Sequence, residues 1–233
     1  MKQFSNRYIF VFSLVMVVIV ATILSLAATL LQPRQMKNLE LEKKKSILES
    51  INVPAEFKDA ERLFEKYIAG SFVLDYRREK KEGIDAFGVV LKAEQKKPLE
   101  QQNLPVFIGV ADNGDTLTII PLEGKGLWGP IYGYLSLKPD MNTIYGVTFD
   151  HKGETPGLGA EINTSWFKGQ FAGKKIFEDN RLVSVKVLKS NEKPVENHSV
   201  DAISGGTITS KGLEAMLADC LKKYENFLIK NMK

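Results

Sequence analysis

The sequence predicts an α+β protein: an N-terminal transmembrane helix followed by a mainly antiparallel domain. Three observations predict it. First, Tyr8 to Leu31 contains no charged residue, and roughly 20 apolar residues are enough for a helix to cross the hydrocarbon core. Second, short β-type runs (106–110, 116–120, 131–137, 143–149) follow one another with turn residues between them. Third, the chain closes on a stretch whose apolar residues recur every three or four positions, the signature of a helix with one buried face.

The apolar run reads YIFVFSLVMVVIVATILSLAATLL. In lipid every backbone polar group must be paired internally, and a continuous helix does this. A cleaved signal peptide would carry an apolar region of about 7–15 residues ending in small residues. Ser25 and Ala27 match that pattern weakly, and the run continues through Leu30 and Leu31, so a retained anchor is the better reading. Pro33 is expected to end the spanning helix, because its ring cannot continue the hydrogen-bond ladder. Residues 36–51 then read as a charge-rich juxtamembrane helix stopped before Pro54, and 55–68 as a second helix bearing Phe57, Leu63, Phe64 and Tyr67. This divides the chain into an N-terminus (1–7), a span (8–31), a juxtamembrane segment (32–70) and a folded domain (71–233).

Within that domain, strands are expected at 87–91, 106–110, 116–120, 131–137, 143–149 and 182–188. Asp112-Asn113-Gly114-Asp115 joins the second and third as a hairpin, since Asn-Gly tolerates positive φ. Helices are expected within 158–167 and over 211–229. In the latter, Leu213, Met216, Leu217, Cys220, Leu221, Tyr224 and Leu228 form the core-facing stripe.

Composition narrows the function. Lysine and arginine number 32 against 28 acidic residues, giving +4. Lys2 and Arg7 precede the span, so the rest carries only +2, with no concentrated basic stripe of the kind that binds nucleic acid. Cys220 is the only cysteine, which excludes an internal disulfide and a cysteine metal cage, and His151 and His198 lack ligand spacing. No metal site is expected.

Three glycine-rich stretches remain: Gly124 to Pro130, Glu154 to Glu161, and Asp201 to Ser210. Glycine lets backbone N–H groups approach an anion. The third stretch runs directly into the last helix, whose N-terminus favours a phosphate. It is no P-loop, lacking the spaced glycines and the Lys-Ser/Thr pair, and no dinucleotide fingerprint. A glycine pair before a helix is also an ordinary tight turn, so these residues alone leave both readings open.

Asp201-x-x-Ser204-Gly205-Gly206-Thr207 resembles the flavinylation motif Asp-x-x-Ser/Thr-Gly-Ala-Thr of the FMN-binding domain family, departing from it only at Gly206. Gly-Leu-Trp-Gly at 126–129 and Glu-Thr-Pro-Gly-Leu-Gly at 154–159 resemble segments of the C subunits of the sodium-translocating NADH:quinone reductases. The resemblance covers essentially the whole chain and implies a mainly antiparallel α+β FMN-binding domain on a membrane anchor. It implies FMN carried covalently on Thr207 through a phosphoester, placed there by a separate flavin transferase, with Asp201 supporting the motif. It further implies Ser204, Gly205, Gly206 and Thr209 around the phosphate. Leu127, Trp128 and Leu158 would pack on the isoalloxazine, for Trp128 against the reading of a buried core aromatic. Thr155 and the backbone near Gly157 and Gly159 would meet the ring's polar edge, while Glu154 fixes the loop.

By the same resemblance the chain is an electron-transfer subunit, inactive alone, whose partners are the other reductase subunits and the lipid bilayer. The alternatives are the G subunit of the Rnf electron-transfer complex, a stand-alone flavin-linked module, and a non-redox membrane-anchored binding domain. The family places the flavin domain on the periplasmic side of the inner membrane. Arg34, Lys37, Lys43, Lys44 and Lys45 just after the span, counted by the positive-inside rule, favour the opposite side.

Overall fold

The computed structural model describes residues 5–75, 77, 79–189 and 191–232. Two compact units divide the chain, 1–43 and 44–233. Residues 6–43 of the first lie on helix α1 (Asn6–Ser50), which is long and apolar enough to cross a membrane. The 24 residues from Tyr8 to Leu31 rise about 36 Å as a helix, which covers a core of about 30 Å. Both of its threonine hydroxyls return to the helix backbone: Thr22 Oγ1 donates to the Val18 carbonyl at 2.8 Å and Thr29 Oγ1 to that of Ser25 at 2.9 Å. The expected stop at Pro33 does not occur, and α1 runs through it. One proline removes one ladder bond, and the residues on either side (Ala27 to Leu31, Met36 to Lys45) are mostly good helix formers.

The second unit begins with the last turns of α1. Helix α2 (Ala60–Tyr67) follows and passes directly into strand β1 (Ile68–Leu74). Then come β2 (Lys80–Lys81), the short α3 (Leu91–Glu94), β3 (Leu104–Val110), β4 (Thr116–Lys125), β5 (Pro130–Leu137) and β6 (Ile144–His151). After a 3-10 helix (Gly159–Asn163) come α4 (Ser165–Gly169), the two-residue strands β7 (Phe177–Glu178) and β8 (Arg181–Leu182), then β9 (Lys186–Leu188) and β10 (Ser199–Asp201). Helix α5 (Thr207–Asn231) closes the domain.

Strands β1 to β6 form one antiparallel sheet in the order β2-β1-β3-β4-β5-β6, while β9 and β10 make a separate parallel pair. The fold is thus α+β and mainly antiparallel, as the sequence predicts. Both sheet faces are covered. Leu104, Val106, Ile120, Leu122 and Ile131 share a core with Leu213, Met216, Leu217, Leu221 and Tyr224 of α5, and Phe149 on the same face packs against Phe167 of α4 and Phe171. Val73, Phe107, Leu117 and Ile119 face the other way, onto Ile47, Leu48 and Ile51 from the end of α1. This explains why β4 is buried continuously from Leu117 to Leu122 instead of alternating.

Several elements differ from expectation. The run 87–91 is not a strand. Phe87 turns inward after an Asp85 turn, where the Phe87 N–H donates to Asp85 Oδ1, and stacks edge-on against Phe64 and Phe107. The strand expected at 182–188 is split by Ser184, whose φ of 59° breaks an extended run. The helix expected within 158–167 is a 3-10 turn followed by α4, and α5 begins at Thr207, four residues before the expected start at 211.

At Gly133 a Cβ would overlap the Thr148 carbonyl oxygen of the neighbouring strand. That atom is backbone and cannot swing aside. Gly133→Ala is therefore expected to lower stability by about 2 kcal/mol, read as a lower midpoint in urea unfolding of the 44–233 unit.

Candidate functional site

The three glycine-rich stretches, far apart in the chain, meet at one end of the sheet. The first is the hairpin between β4 and β5, closed by the Gly126 N–H donating to the Gly129 carbonyl at 2.8 Å. Its tip carries Leu127 and Trp128, the latter 69% exposed, so the buried-aromatic reading of Trp128 is overturned. The second follows β6. There Gly157 takes a φ of +75° and its N–H donates to Glu161 Oε1 at 3.0 Å, while the Thr155 carbonyl accepts from Leu158 and Ala160. The Gly157 amide is thus engaged within its own loop, Thr155 stays exposed, and Leu158 is half out of the surface. The third is the turn from β10 into α5. Gly205 has a φ of +73°, Gly206 is the N-cap, and Thr207 is the first helical residue.

Glu154 ties the three together. Its carboxylate is 4% exposed. Oε1 accepts from the Trp128 N–H at 2.9 Å, and Oε2 accepts from the Thr209 hydroxyl at 2.5 Å. Burial pushes the Glu154 pKa up. The hydrogen bonds from Thr209 and from the backbone of Trp128 and Gly129, with the His151 side chain nearby, outweigh it and hold the group below its ordinary value. Glycine makes the arrangement possible. A Cβ at Gly126 would lie 2.6 Å from Glu154 Oε1, and one at Gly159 would collide with both Glu154 Oε2 and Thr209 Oγ1. A Cβ at Gly205 would lie 2.6 Å from Leu158, so the second loop rests on the glycine pair of the third.

A pH dependence follows from this carboxylate. A folded-state pKa below the unfolded one adds stability above the unfolded value, 4.5 for an ordinary glutamate, which is lost as pH falls through the folded value. Glu154→Gln is expected to flatten the acid limb of the stability curve below about pH 4.5, measured by urea titrations at a series of pH values.

The hydroxyls around the turn fall into two pairs. Thr209 is 1% exposed and Ser210 wholly buried. The Thr209 proton is committed to Glu154, and Ser210 Oγ accepts from the Ile203 N–H at 3.2 Å. Thr209 therefore braces the loop instead of reaching outward to a phosphate, a correction to the sequence expectation. Ser204 is exposed and Thr207 half-exposed, and neither hydroxyl has a hydrogen-bond partner among the described residues. Asp201 ends β10, with its backbone N–H held by Gln170 Oε1 at 2.9 Å and its side chain exposed. It does not cap the turn among the described hydrogen bonds.

The chemistry of this end is two-sided. An accessible hydroxyl stands on the first residue of a 25-residue helix whose N-terminus no side chain caps among the described residues, a position suited to a phosphoryl group. Beside it Leu127, Trp128, Leu158 and Ile208 expose large apolar surface, suited to a planar ring. These residues fit a flavin mononucleotide, phosphate at the helix and ring on the loops. Sequence reasoning assigns no role to His151 or Ile208. The available signal for His151 is its place three residues before Glu154 in a glycine-containing turn.

Comparison with known proteins defines the class first: residues 126–222 match the FMN-binding domain family. The chain is 33% identical to the C subunit of the Na(+)-translocating NADH-quinone reductase of Vibrio vulnificus, covering 82% of this chain and 81% of that one. It is likewise 33% identical to the same subunit from Haemophilus ducreyi, over 87% and 86%. The crystal structure of its counterpart from Parabacteroides distasonis is 43% identical and superposes with a TM-score of 0.79, covering 85% of this chain and 96% of that one. NqrC of Shewanella oneidensis, at 24% identity, shares the fold with a TM-score of 0.68 over 81% and 97%. The chain belongs to the family of C subunits of the Na(+)-translocating NADH-quinone reductases.

Proposed function

We propose that the chain is the FMN-carrying electron-transfer subunit of a membrane Na(+)-translocating NADH:quinone reductase, with the flavin joined through its phosphate to Thr207. The observation that carries this reading is the Thr207 hydroxyl. It is accessible and unpartnered among the described residues at an uncapped helix start, while the neighbouring Thr209 and Ser210 are buried and engaged. Attachment is a single maturation step by a separate flavin transferase. The Thr207 oxygen forms a bond to the FMN-side phosphorus of FAD, the phosphoanhydride bond breaks, AMP leaves, and the hydroxyl proton is lost to the transferase.

When bound, FMN supplies one- and two-electron redox chemistry, and the protein supplies position and environment. Gly205 and Gly206 let the chain pass close to the phosphate and to Leu158. Leu127, Trp128 and Leu158 offer apolar surface to the ring, and Thr155 offers a hydroxyl at its edge. Glu154 holds these loops in one arrangement and places a fixed negative charge beneath them. Asp201, exposed at the end of β10, is available for reading by the transferase.

The span 8–31 would anchor the protein in the inner membrane, with residues 1–7 cytoplasmic and the domain periplasmic beside the other members of the complex. Covalent attachment suits a compartment without a free flavin pool. The test is mass spectrometry of protein produced with its flavin transferase. The peptide containing Thr207 is expected to gain FMN less one water, and an unmodified peptide overturns the reading. Protease accessibility in sealed cells and in spheroplasts tests the side: the domain should be cleaved only once the outer membrane is opened.

A further inference from the structure

We propose that His151 is a positioning residue for this site, bracing the Glu154 turn in its neutral form and releasing it on protonation. The proposal deepens the flavin reading and rests on it only for the consequence to the bound ring.

The last residue of β6 is His151. It pairs with Ile131 and so lies on the sheet face covered by α5. Its Nδ1 accepts a hydrogen bond from the Glu154 N–H at 3.2 Å. Accepting at Nδ1 requires that atom to be bare, with the proton on Nε2. The ring therefore closes the 151–154 turn from inside and sets the backbone from which the Glu154 carboxylate reaches Trp128 and Thr209. A proton added to Nδ1 would point at the Glu154 N–H, donor against donor, and the bond is lost.

The surrounding charges do not cancel this. On its own segment lie Asp150, whose Oδ1 accepts the His151 backbone N–H at 2.7 Å, and then Lys152 and Glu154. Of the elements packed against β6, β5 carries no formal charge, the 3-10 helix carries Glu161, already bonded to Gly157, and α4 carries Lys168. Beyond them are Lys125 at the end of β4 and Lys211, which pairs with Glu214 on α5. Glu154, held below the ordinary carboxylate range, stays charged where imidazoles titrate, between about pH 5 and 8. The imidazolium and the carboxylate still attract, so the turn rearranges without unfolding. Because Glu154 holds the backbone of Trp128, the rearrangement is transmitted to the loop tip that faces the ring.

The test needs no flavin. The chain has two tryptophans, so Trp166→Phe leaves Trp128 as the sole reporter. In the full-length, detergent-solubilised protein, Trp128 emission is expected to shift reversibly on acidification from neutral pH, as the Nδ1 acceptor of His151 is lost to a proton. His151→Asn keeps an acceptor oxygen near the Nδ1 position and is expected to hold the neutral-pH spectrum throughout. His151→Ala should show the acid-side spectrum at every pH. A parent protein whose emission does not titrate, or an Asn variant that titrates like the parent, overturns the proposal. In flavin-loaded protein the visible circular dichroism is expected to follow the same curve. If emission titrates through His151 while Thr207 accepts no flavin, the brace stands and the flavin reading falls.

Discussion

Replacing Thr207 with alanine is expected to abolish covalent flavin, leaving a colourless protein of unaltered fold, while Thr207→Ser retains attachment. The expectation is all-or-none because no neighbouring hydroxyl can substitute. Thr209 is two positions along the helix, 1% exposed, with its proton on Glu154. Ser210 is wholly buried and holds the Ile203 amide. Ser204 is accessible, yet it lies on the far side of the Gly205-Gly206 turn, outside the helix whose free N–H groups would meet the phosphate. Side-chain removal at a half-exposed first-turn position costs little stability, so circular dichroism and thermal melting should match the parent protein. In-gel flavin fluorescence and intact mass give the readout. Flavin in the alanine variant, or its absence from the serine variant, contradicts the assignment.

The second large effect is expected at Glu154. Glu154→Ala leaves the buried Thr209 hydroxyl and the Trp128 amide without their acceptor and opens a void between three loops. Each buried unsatisfied group costs about 1–3 kcal/mol, and the void adds to this, so a loss of about 3–4 kcal/mol is expected. Urea unfolding of the full chain measures it. The damage should be concentrated at one end of the sheet. Amide exchange is expected to rise in 126–129, 154–159 and 205–210 while the centre of β4, packed from Leu117 to Leu122 on both faces, stays protected. Glu154→Gln keeps the shape and one acceptor oxygen, and should fall between the two. Equal protection in all three loops of the alanine variant and the parent would contradict the role assigned to this carboxylate.

Much of the fold is legible in the sequence because it is local. Asn113-Gly114 sets the β3–β4 turn, where Gly114 has a φ of +84°, and the three-to-four-residue stripe of α5 is buried at every predicted position. The failures have the opposite origin. Phe87 sits in an apolar run that looks like a strand, but its ring is claimed by Phe64 and Phe107, contacts invisible in the sequence. Strand β1 escapes sequence reading because Gly70 and Ser71 interrupt it and its first half is largely exposed, so it lacks the alternation of a half-buried strand. The stop expected at Pro33 rests on local sterics alone, and a long helix absorbs one missing bond.

The site divides the same way. The motif around Thr207 is contiguous and readable. The bonds that assemble the site, Glu154 to Thr209 and Glu154 to Trp128, join residues 55 and 26 positions apart, and no spacing rule reveals them.

Ile47 and Leu48, on the last turns of α1, are fully buried against Phe107, Leu117 and Ile119. A secreted, anchor-free version of this protein must therefore keep the chain from Lys44 onward. Trimming to residue 52 or beyond would take Ile47, Leu48 and Ile51 off that face and uncover part of it, inviting self-association through a surface that was never meant to meet water.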